Sequence, residues 1–309
     1  MIKVKGLTKR YGSLIALDHF DLEVEKGEIF GLLGPNGSGK TTAINCMLSL
    51  LKYSTGEVKL FGEVMRSDSY ELKRRIGVVM QNVAVFNELT VVENIDYFCG
   101  LYVPQKALRK QLVDEAVVFC GLEDYRRFLP KKLSGGLLRR LNIACGIAHK
   151  PELIFLDEPT VAVDPQSRNH ILEGIRELNR NGSTIVYTSH YMEEVEQLCT
   201  RIMIMDKGKA VAVGTKDELK GMIREGEKLS IEIYFLPDTI LSEIKDLDRL
   251  YKVDYSNSLL TAHCPLGGHH LIRILDILRR NSLDFGRIFT EPPTLNDVFL
   301  EITGIELKD

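Results

Sequence analysis

The stretch GEIFGLLGPNGSGKTTAINCMLSLL, residues 27–51, predicts a buried strand, a glycine-rich loop and a helix in immediate succession. Its centre, Gly34-x-x-x-x-Gly39-Lys40-Thr41, matches the phosphate-binding loop pattern, and the strand before it and the helix after it are the context that this pattern requires. Glycines let backbone N–H groups turn towards phosphate oxygens, and a helix start adds unpaired N–H groups and a favourable dipole. We therefore expect residues 34–42 to bind a nucleotide's phosphates.

Within this loop, the Lys40 ammonium is expected to reach the β- and γ-phosphates, and the Thr41 hydroxyl is expected to ligate Mg²⁺. A glycine-rich turn that matches by chance is the alternative, and the flanking strand and helix argue against it. The residues expected to contact the nucleotide here are Gly34, Pro35, Asn36, Gly37, Ser38, Gly39, Lys40, Thr41 and Thr42.

A second chemical element is LIFLDEP, residues 153–159, in which an apolar strand ends in two adjacent carboxylates. Ligands of parallel sheets bind at the carboxyl ends of the strands, which is where Asp157 and Glu158 fall. We expect Asp157 to hold Mg²⁺ through water and Glu158 to act as general base on the attacking water. An acidic surface turn is the alternative, and the phosphate loop upstream argues against it.

The order of the predicted elements defines the fold class. Strands alternate with helices around these two motifs, which predicts an α/β fold with a largely parallel sheet covered on both faces. Helical spacing from about residue 89 to 150 indicates a helical insertion. Beyond residue 220 the order βαββαβ, with a further helix at the end, predicts a small ferredoxin-like domain. The expected division is 1–220 for the first domain and 221–309 for the second.

Composition limits the class of partner. A formal net charge of −3 over 309 residues gives no basic surplus of the kind that nucleic-acid binders show, so we expect no nucleic-acid partner. The six cysteines form no CxxC pair and are typical of reduced, buried thiols in a cytosolic protein. No apolar run approaches the roughly 20 residues of a membrane span. A role at a membrane would then require a separate partner.

A second anion-binding element is found in KKLSGGLLRRLNIA, residues 131–144. Ser134, Gly135 and Gly136 begin a helix and offer a hydroxyl and backbone N–H groups. Taken alone, a Ser-Gly-Gly at a helix start favours a plain N-cap. Together with the phosphate loop and the acidic pair, however, the chain resembles the nucleotide-binding subunit of an ABC transporter, whose signature loop precedes the acidic strand in the same way.

Further marks of that family follow in the expected order over residues 1–220. Tyr11 resembles the aromatic residue that stacks on adenine, and Gln81 resembles the Q-loop glutamine, a further ligand of Mg²⁺. Asp164, in VAVDPQSR, resembles the D-loop aspartate, and His190, which ends STIVYTSH, resembles the switch histidine. The resemblance implies a P-loop NTPase with a RecA-like core and an inserted helical subdomain.

The resemblance also implies the mechanism and the partners. Two copies would sandwich two ATP molecules, with residues 134–136 of each copy closing over the ATP of the other. Glu158, His190, Gln81 and Lys40 would form the catalytic set. A separate transmembrane permease would be driven by hydrolysis, which would place the chain in the cytoplasm, peripheral on the inner face of the cell membrane. Leu137, where the family commonly has glutamine, and the D-loop residues 161–163 depart from the usual pattern.

The ending EPPTLNDVFLEITG, residues 291–304, resembles ATPase subunits of bacterial exporters of drugs, antibiotics and related amphiphiles. Two other functions compete with a transport ATPase. A non-transport ABC ATPase of translation or DNA repair usually has two cassettes or a long coiled coil, and this sequence has neither. A P-loop kinase or GTPase-like switch would need neither the LSGG loop nor a histidine at position 190.

Overall fold

The computed structural model describes residues 1–223, 226–265 and 269–304. The chain divides into two compact units, one spanning Met1–Thr215 and one that begins at Lys216. The division into an ATP-binding domain and an accessory domain with different functions stays a prediction. Among the described residues, no helix combines the length and the apolar character that crossing a bilayer demands.

The first unit contains ten strands and seven helices among its described residues. The strands are β1 (Ile2–Tyr11), β2 (Leu14–Val24), β3 (Ile29–Leu33), β4 (Thr55–Leu60), β5 (Glu63–Val64), β6 (Ile76–Val79), β7 (Leu153–Asp157), β8 (Thr184–Ser189), β9 (Arg201–Asp206) and β10 (Lys209–Gly214). The helices are α1 (Lys40–Met47), α2 (Tyr70–Lys73), α3 (Val91–Gly100), α4 (Lys106–Phe119), α5 (Gly135–Ile147), α6 (Pro165–Arg180) and α7 (Met192–Leu198).

These strands form two sheets. An antiparallel sheet has the order β2-β1-β4-β5, and a six-stranded sheet has the order β10-β9-β3-β8-β7-β6. In the larger sheet every neighbouring pair is parallel except β9 and β10. Every residue of β3 and of β7 is buried, because helices and the second sheet cover both faces, and this explains the uninterrupted apolar runs of the two strands. The α/β fold with a parallel sheet is therefore confirmed.

One hydrophobic core joins the two sheets through α1. Phe20 comes from the antiparallel sheet, Phe30 and Phe155 come from the parallel sheet, and Ile44 and Met47 come from α1; all five belong to one buried cluster. Burying each of these side chains contributes about 1.5–3 kcal/mol to folding. The helix that follows the phosphate loop is therefore fixed on both sides, which gives the loop a rigid base.

The helical insertion lies between β6 and β7, two adjacent strands of the sheet. It starts with a capping box, in which the Thr90 hydroxyl accepts a hydrogen bond from Glu93 N and Glu93 Oε2 accepts one from Thr90 N. Inside α3, the buried Asn94 side chain accepts from Phe86 N and donates to Leu89 O. Asn94 thereby fixes the segment that leads from β6 into the insertion.

The second unit has its own sheet and core. Its elements are α8 (Lys216–Lys220), β11 (Glu227–Glu232), α9 (Asp238–Lys245), β12 (Lys252–Ser256), β13 (Leu259–Cys264), α10 (His270–Arg280), β14 (Ile288–Glu291) and α11 (Leu295–Thr303). The strand order β12-β13-β11-β14 is antiparallel throughout. With α9 and α10 this gives the predicted βαββαβ, ferredoxin-like arrangement.

All six cysteines are unpaired and buried. Burial raises the pKa of Cys99 to about 11 and that of Cys264 to about 11, so both are neutral thiols near neutral pH. Neutral, buried thiols are poor nucleophiles and poor metal ligands. The cysteines therefore act as small apolar side chains.

Candidate active site

The parallel sheet brings four separate sequence motifs to one edge. In the spatial order β3-β8-β7-β6, the carboxyl end of each strand leads into a loop with one of the predicted residues. Lys40 follows β3, His190 follows β8, Glu158 follows β7 and Gln81 follows β6. Parallel strands end at the same edge, so residues far apart in sequence meet there.

The phosphate loop depends on glycine at position 39. Gly39 has φ 107°, a left-handed conformation that glycine adopts without strain, and a Cβ here would lie 2.8 Å from the Ala16 carbonyl oxygen. Helix α1 starts at the next residue, Lys40, which is 5% exposed. Its ammonium donates to Gly34 O at 2.7 Å and to Pro35 O at 3.1 Å. The Lys40 side chain thus folds back over the phosphate loop, and its ammonium lies against the loop's backbone carbonyls.

The remaining residues of the loop differ in exposure. Gly34 and Ser38 are buried, whereas Asn36 and Gly37 form the exposed outer rim. Thr42 is half-buried in the first turn of α1. The loop therefore presents its backbone to solvent while its base is anchored, as an anion cradle requires.

Two hydroxyl groups hold the Asp157 carboxylate. Thr41 Oγ1 donates to Asp157 Oδ2 at 2.9 Å, and Thr188 Oγ1 donates to Asp157 Oδ1 at 2.7 Å. Thr188 also accepts from Glu158 N at 2.9 Å. No sequence pattern predicts this role of Thr188, because β8 carries several hydroxyl side chains and nothing distinguishes this one. This threonine therefore holds the Asp157 carboxylate and the backbone of Glu158 together.

Glu158 has the most unusual environment in the site. Its φ of 48° is left-handed, which costs a residue with a side chain about 1 kcal/mol or more. Its carboxylate is almost completely buried, accepts a hydrogen bond from Gln81 Nε2 at 2.9 Å and lies 3.4 Å from Lys40 Nζ. His190 Nδ1 is 3.4 Å away on the same carboxylate, without hydrogen-bond alignment. The structure thus gathers three of the predicted catalytic side chains around the carboxylate of the fourth, Glu158.

The electrostatic balance of this cluster depends on pairing. Burial lowers the pKa of Lys40, and the nearby Glu158 and Asp157 carboxylates oppose that effect. Removing one member of a buried ion pair leaves an uncompensated charge and typically costs about 3–5 kcal/mol. The Lys40 ammonium is therefore stabilised by the two carboxylates against the effect of its burial.

Arg139, a residue of α5, also belongs to the site. It is buried, and its Nη1 donates to Gln81 O at 2.8 Å and to Met80 O at 3.2 Å, while its Nη2 donates to Glu158 O at 3.4 Å. Burial lowers the pKa of its guanidinium, and nearby Asp157 and Glu158 oppose this effect. The sequence analysis missed it, although an arginine among the apolar residues of a helix was a signal. The Arg139 guanidinium thus links α5, the helix that begins at the Ser-Gly-Gly loop, to the backbone carbonyls of Gln81 and Glu158.

The Ser-Gly-Gly loop is an N-cap and also packs against a second helix start. Ser134 caps α5 by accepting from Leu137 N at 3.3 Å. A Cβ on Gly136 would lie 2.4 Å from Ser167 Oγ and 3.1 Å from Asp164 Oδ2. Asp164 in turn caps α6 by accepting from Ser167 N at 2.9 Å, a bond that lowers the pKa of its carboxyl. Glycine at 136 therefore permits close contact between the Ser-Gly-Gly loop and the start of α6. Gly135 lies between Ser134 and Gly136 at the start of α5.

Tyr11 lies apart from the strand-end cluster, at the end of β1 in the antiparallel sheet. Its ring is about half exposed, and the Lys9 ammonium lies 4.6 Å from the ring centroid. An exposed aromatic ring can stack on a nucleotide base, but no contact here distinguishes that role from a cation–π pair with Lys9. The role of Tyr11 stays a prediction.

Similarity to known proteins supports the identification of this site. The protein-family model described as ABC transporter matches residues 17–161, which include both the phosphate loop and the acidic pair. The chain is 34% identical over 311 residues to the linearmycin resistance ATP-binding protein LnrL of Bacillus subtilis, with full coverage of both chains. It is 39% identical over 313 residues to the daunorubicin/doxorubicin resistance ATP-binding protein DrrA of Streptomyces peucetius, covering all of this chain and 94% of that one.

Solved structures agree as well. A dimeric post-hydrolysis state of the ATP-binding cassette MJ0796, bound to ADP and Pi, superposes with a TM-score of 0.64 at 28% identity. That alignment covers 70% of this chain and 98% of the other. From its fold, from the convergence of its motifs at one sheet edge and from full-length relatives above 30% identity, the chain belongs to the ABC transporter family, in which it is an ATP-binding subunit with ATP hydrolase activity.

Proposed function

We propose that two copies of this chain close on two ATP molecules and that hydrolysis drives a separate membrane permease that exports a drug, antibiotic or other amphiphile. The observation that carries the ATPase part is the buried Glu158 carboxylate, which lies within 3.4 Å of both Lys40 and His190 and is hydrogen bonded to Gln81. The cargo class is supported by the relatives, which are named as drug and antibiotic resistance proteins.

The residues divide the work of hydrolysis as follows. Backbone N–H groups of the phosphate loop and the Lys40 ammonium bind the β- and γ-phosphates of ATP. Glu158 orients a water molecule for in-line attack on the γ-phosphorus and accepts its proton. His190 contacts the γ-phosphate from the side of β8 and helps to stabilise the charge of the transition state. Gln81, through its bond to Glu158, sets the position of that carboxylate.

Thr41, Asp157 and Gln81 fit a Mg²⁺ site. They supply only oxygen ligands, which is the donor type that Mg²⁺ prefers, and the Thr41 hydroxyl and the Asp157 carboxylate already meet at 2.9 Å. When bound, Mg²⁺ would neutralise charge on the β- and γ-phosphate oxygens. Thr188 keeps the Asp157 carboxylate oriented by donating a hydrogen bond to its other oxygen.

The second ATP contact is made by the partner copy. Ser134, Gly135 and Gly136 present a hydroxyl and a helix N-terminus, and Asp164 lies directly beside them. We assign these residues to the γ-phosphate of the ATP in the opposite copy and to the junction between the two sites. Because Arg139 on the same helix reaches Gln81 and Glu158, closure on the partner's ATP would also affect this copy's own base.

An aromatic surface beside Gln81 supports a permease partner. Phe86 and Tyr97 are 42% and 47% exposed. The ring centroid of Phe86 lies 4.9 Å from that of Tyr97 and 5.9 Å from that of Phe98. Clustered exposed aromatic side chains are typical of protein interfaces. We assign this surface, Phe86, Tyr97 and Phe98, to a cytoplasmic helix of the permease. The chain would then be cytoplasmic and peripheral on the inner face of the membrane.

The proposal is tested by capture from membranes. Tagged Glu158→Gln protein, held in Mg-ATP, is used to isolate partners from detergent-solubilised membranes of the native host, and the double variant Glu158→Gln/Phe86→Asp is the matched control. A stoichiometric polytopic membrane protein that the control fails to retain supports the proposal. Ribosomal or nucleic-acid-linked partners, or an intact ATP dimer without any membrane partner, would overturn it in favour of a non-transport ABC ATPase.

A further inference from the structure

The carboxylate of Glu194 is a charged group in the interior that the proposed mechanism does not use. Glu194 lies on α7 and is only 3% exposed. Its Oε2 accepts three hydrogen bonds, from Tyr187 OH at 2.6 Å, Thr160 Oγ1 at 2.8 Å and Ser189 Oγ at 3.1 Å. A buried carboxylate requires such donors, because desolvation of the ion is otherwise very costly.

The three donors come from the two segments that carry catalytic residues. Thr160 is two residues after Glu158, and Ser189 directly precedes His190. Ser189 Oγ also accepts from Tyr191 N at 2.9 Å. Since a hydroxyl has one hydrogen, Ser189 accepts this bond while donating its own hydrogen to Glu194. The carboxylate thereby fixes the turn on both sides of His190.

The second oxygen of Glu194 faces the helix that follows the D-loop. Arg168 of α6 has its Nε 3.3 Å from Glu194 Oε1, an ion pair without hydrogen-bond alignment, and its guanidinium lies 4.8 Å from the ring centroid of Tyr191. The Tyr191 ring in turn lies 4.2 Å from the His190 ring. Arg168 therefore connects α6, which begins at the Asp164 cap, to the residues on either side of the histidine.

We propose that Glu194 is a positioning residue for ATP hydrolysis: it holds His190 at the Glu158 carboxylate and, through Arg168, transmits the position of α6 to the histidine. This proposal rests on the proposed role of His190. A purely structural role would stabilise the fold without affecting turnover by the folded protein. The location of the partners favours positioning, because the three donors and Arg168 come from the loops and elements that carry Glu158, His190 and Asp164.

The first test is Glu194→Gln, which retains the shape of the side chain but removes its charge and one acceptor oxygen. The control is Glu193→Gln, its exposed neighbour on α7. We expect Glu194→Gln to lower the melting temperature and to lower kcat of the folded protein at least tenfold with the KM for ATP close to wild type, whereas Glu193→Gln changes none of them. An unchanged kcat, or a loss of kcat fully explained by a lower folded fraction, would overturn the proposal.

A double-mutant cycle with His190→Ala tests whether Glu194 acts through the histidine. Single-turnover release of radiolabelled phosphate, with enzyme in excess, measures even very slow variants. We expect Glu194→Gln to change the rate less than twofold on the His190→Ala background; a full tenfold loss there would overturn the proposal. A His190→Ala variant with wild-type turnover would instead refute the role of His190. If Glu194→Gln does not fold, Ser189→Ala replaces it in the same cycle with the same criteria.

Discussion

Gln81 donates a hydrogen bond from Nε2 to Oε2 of Glu158 at 2.9 Å, although 77 residues separate them in the sequence. Gln81 lies in the segment that leads from β6 into the helical insertion, and Glu158 directly follows β7, the strand after the insertion. The candidate base is therefore bonded directly to the segment that connects the core with the insertion. A movement of that segment would therefore change the hydrogen bonding of the base.

The first prediction concerns Glu158 itself. Glu158→Gln removes the proton acceptor but retains an amide oxygen near Gln81, so we expect turnover to fall by about 10²-fold or more, the usual contribution of a general base. ATP binding should persist, because the phosphate loop is intact and Lys40 keeps its bonds to Gly34 O and Pro35 O. Steady-state phosphate release and equilibrium binding of a fluorescent ATP analogue measure the two quantities. Glu63→Gln, at an exposed position on β5, is the control. Near-normal turnover in Glu158→Gln would exclude Glu158 as the base.

The second prediction concerns Arg139. Arg139→Gln removes the donor to the part-buried Gln81 O, which should destabilise the protein by about 1–3 kcal/mol. We also expect at least a tenfold loss of turnover in the folded protein, because the Gln81 segment is no longer held. Arg140→Gln is the matched control, since the Arg140 guanidinium binds the carbonyls of Cys120 and Gly121 instead. Thermal unfolding and phosphate release would separate the effects; equal kcat losses in both variants would contradict this role.

The third prediction separates ATP binding from closure of the dimer. Ser134→Arg places a bulky side chain at the start of α5, where the partner's ATP is expected. We expect it to abolish ATP-dependent dimerisation in the Glu158→Gln background while the monomer still binds ATP. Ser134→Ala serves as the milder comparison, because it removes only the N-cap, worth about 1 kcal/mol. Size-exclusion chromatography with light scattering gives the outcome. ATP-dependent dimers of the arginine variant would refute the assignment to the opposite copy.

Much of the site was predictable because its motifs are local. The phosphate loop needs glycine at fixed positions, and an apolar strand that ends in Asp157 and Glu158 is visible in seven residues. Each of these two motifs specifies a local backbone conformation, and that conformation is determined by residues that are neighbours in the sequence. The position of His190 beside them follows from the parallel order of the strands, which the alternation of strands and helices predicts.

The supporting residues were not predictable, because their partners are distant in sequence. Arg139 bonds to carbonyls 58 and 59 residues away, and Thr188 bonds to Asp157 across 31 residues. Glu194 likewise reaches Thr160 across 34 residues. No periodicity or composition indicates which helix faces which strand end. These contacts depend on the packing of α5 and α7 against the sheet, and they become visible only in the folded chain.

The fourth prediction tests the contact between the Ser-Gly-Gly loop and the start of α6. Gly136→Ala adds a Cβ 2.4 Å from Ser167 Oγ and 2.7 Å from Ser167 Cβ, so we expect a loss of about 1–3 kcal/mol from overpacking. Ser167→Gly in the same chain removes both clashing atoms and should recover most of that loss. Ser167→Ala keeps the Cβ and should recover less. The melting temperatures of the three variants measure this difference. If Ser167→Gly recovers no stability, residues other than Ser167 move to accommodate the added Cβ.

The last prediction concerns the pH dependence of stability. His149 follows α5, its Nε2 bonds to Ile76 O at 3.1 Å and its ring stacks on Tyr102 at a centroid distance of 3.9 Å. Burial lowers the pKa of His149 to about 4, so the folded protein holds this ring neutral. An unfolded histidine titrates near 6.5, so its contribution is fully present above about pH 6.5 and is lost as the pH falls towards 4.

Two and a half pKa units correspond to about 3 kcal/mol as an upper limit. His149→Gln retains a donor for Ile76 O but cannot be protonated, so its melting temperature should fall less than that of wild type between pH 7 and pH 4.5. Carboxylates titrate equally in both proteins, so the difference between the two curves isolates the histidine. Thermal unfolding at closely spaced pH values gives the two curves. Parallel curves would mean that His149 is protonated as easily in the folded chain as in the unfolded one.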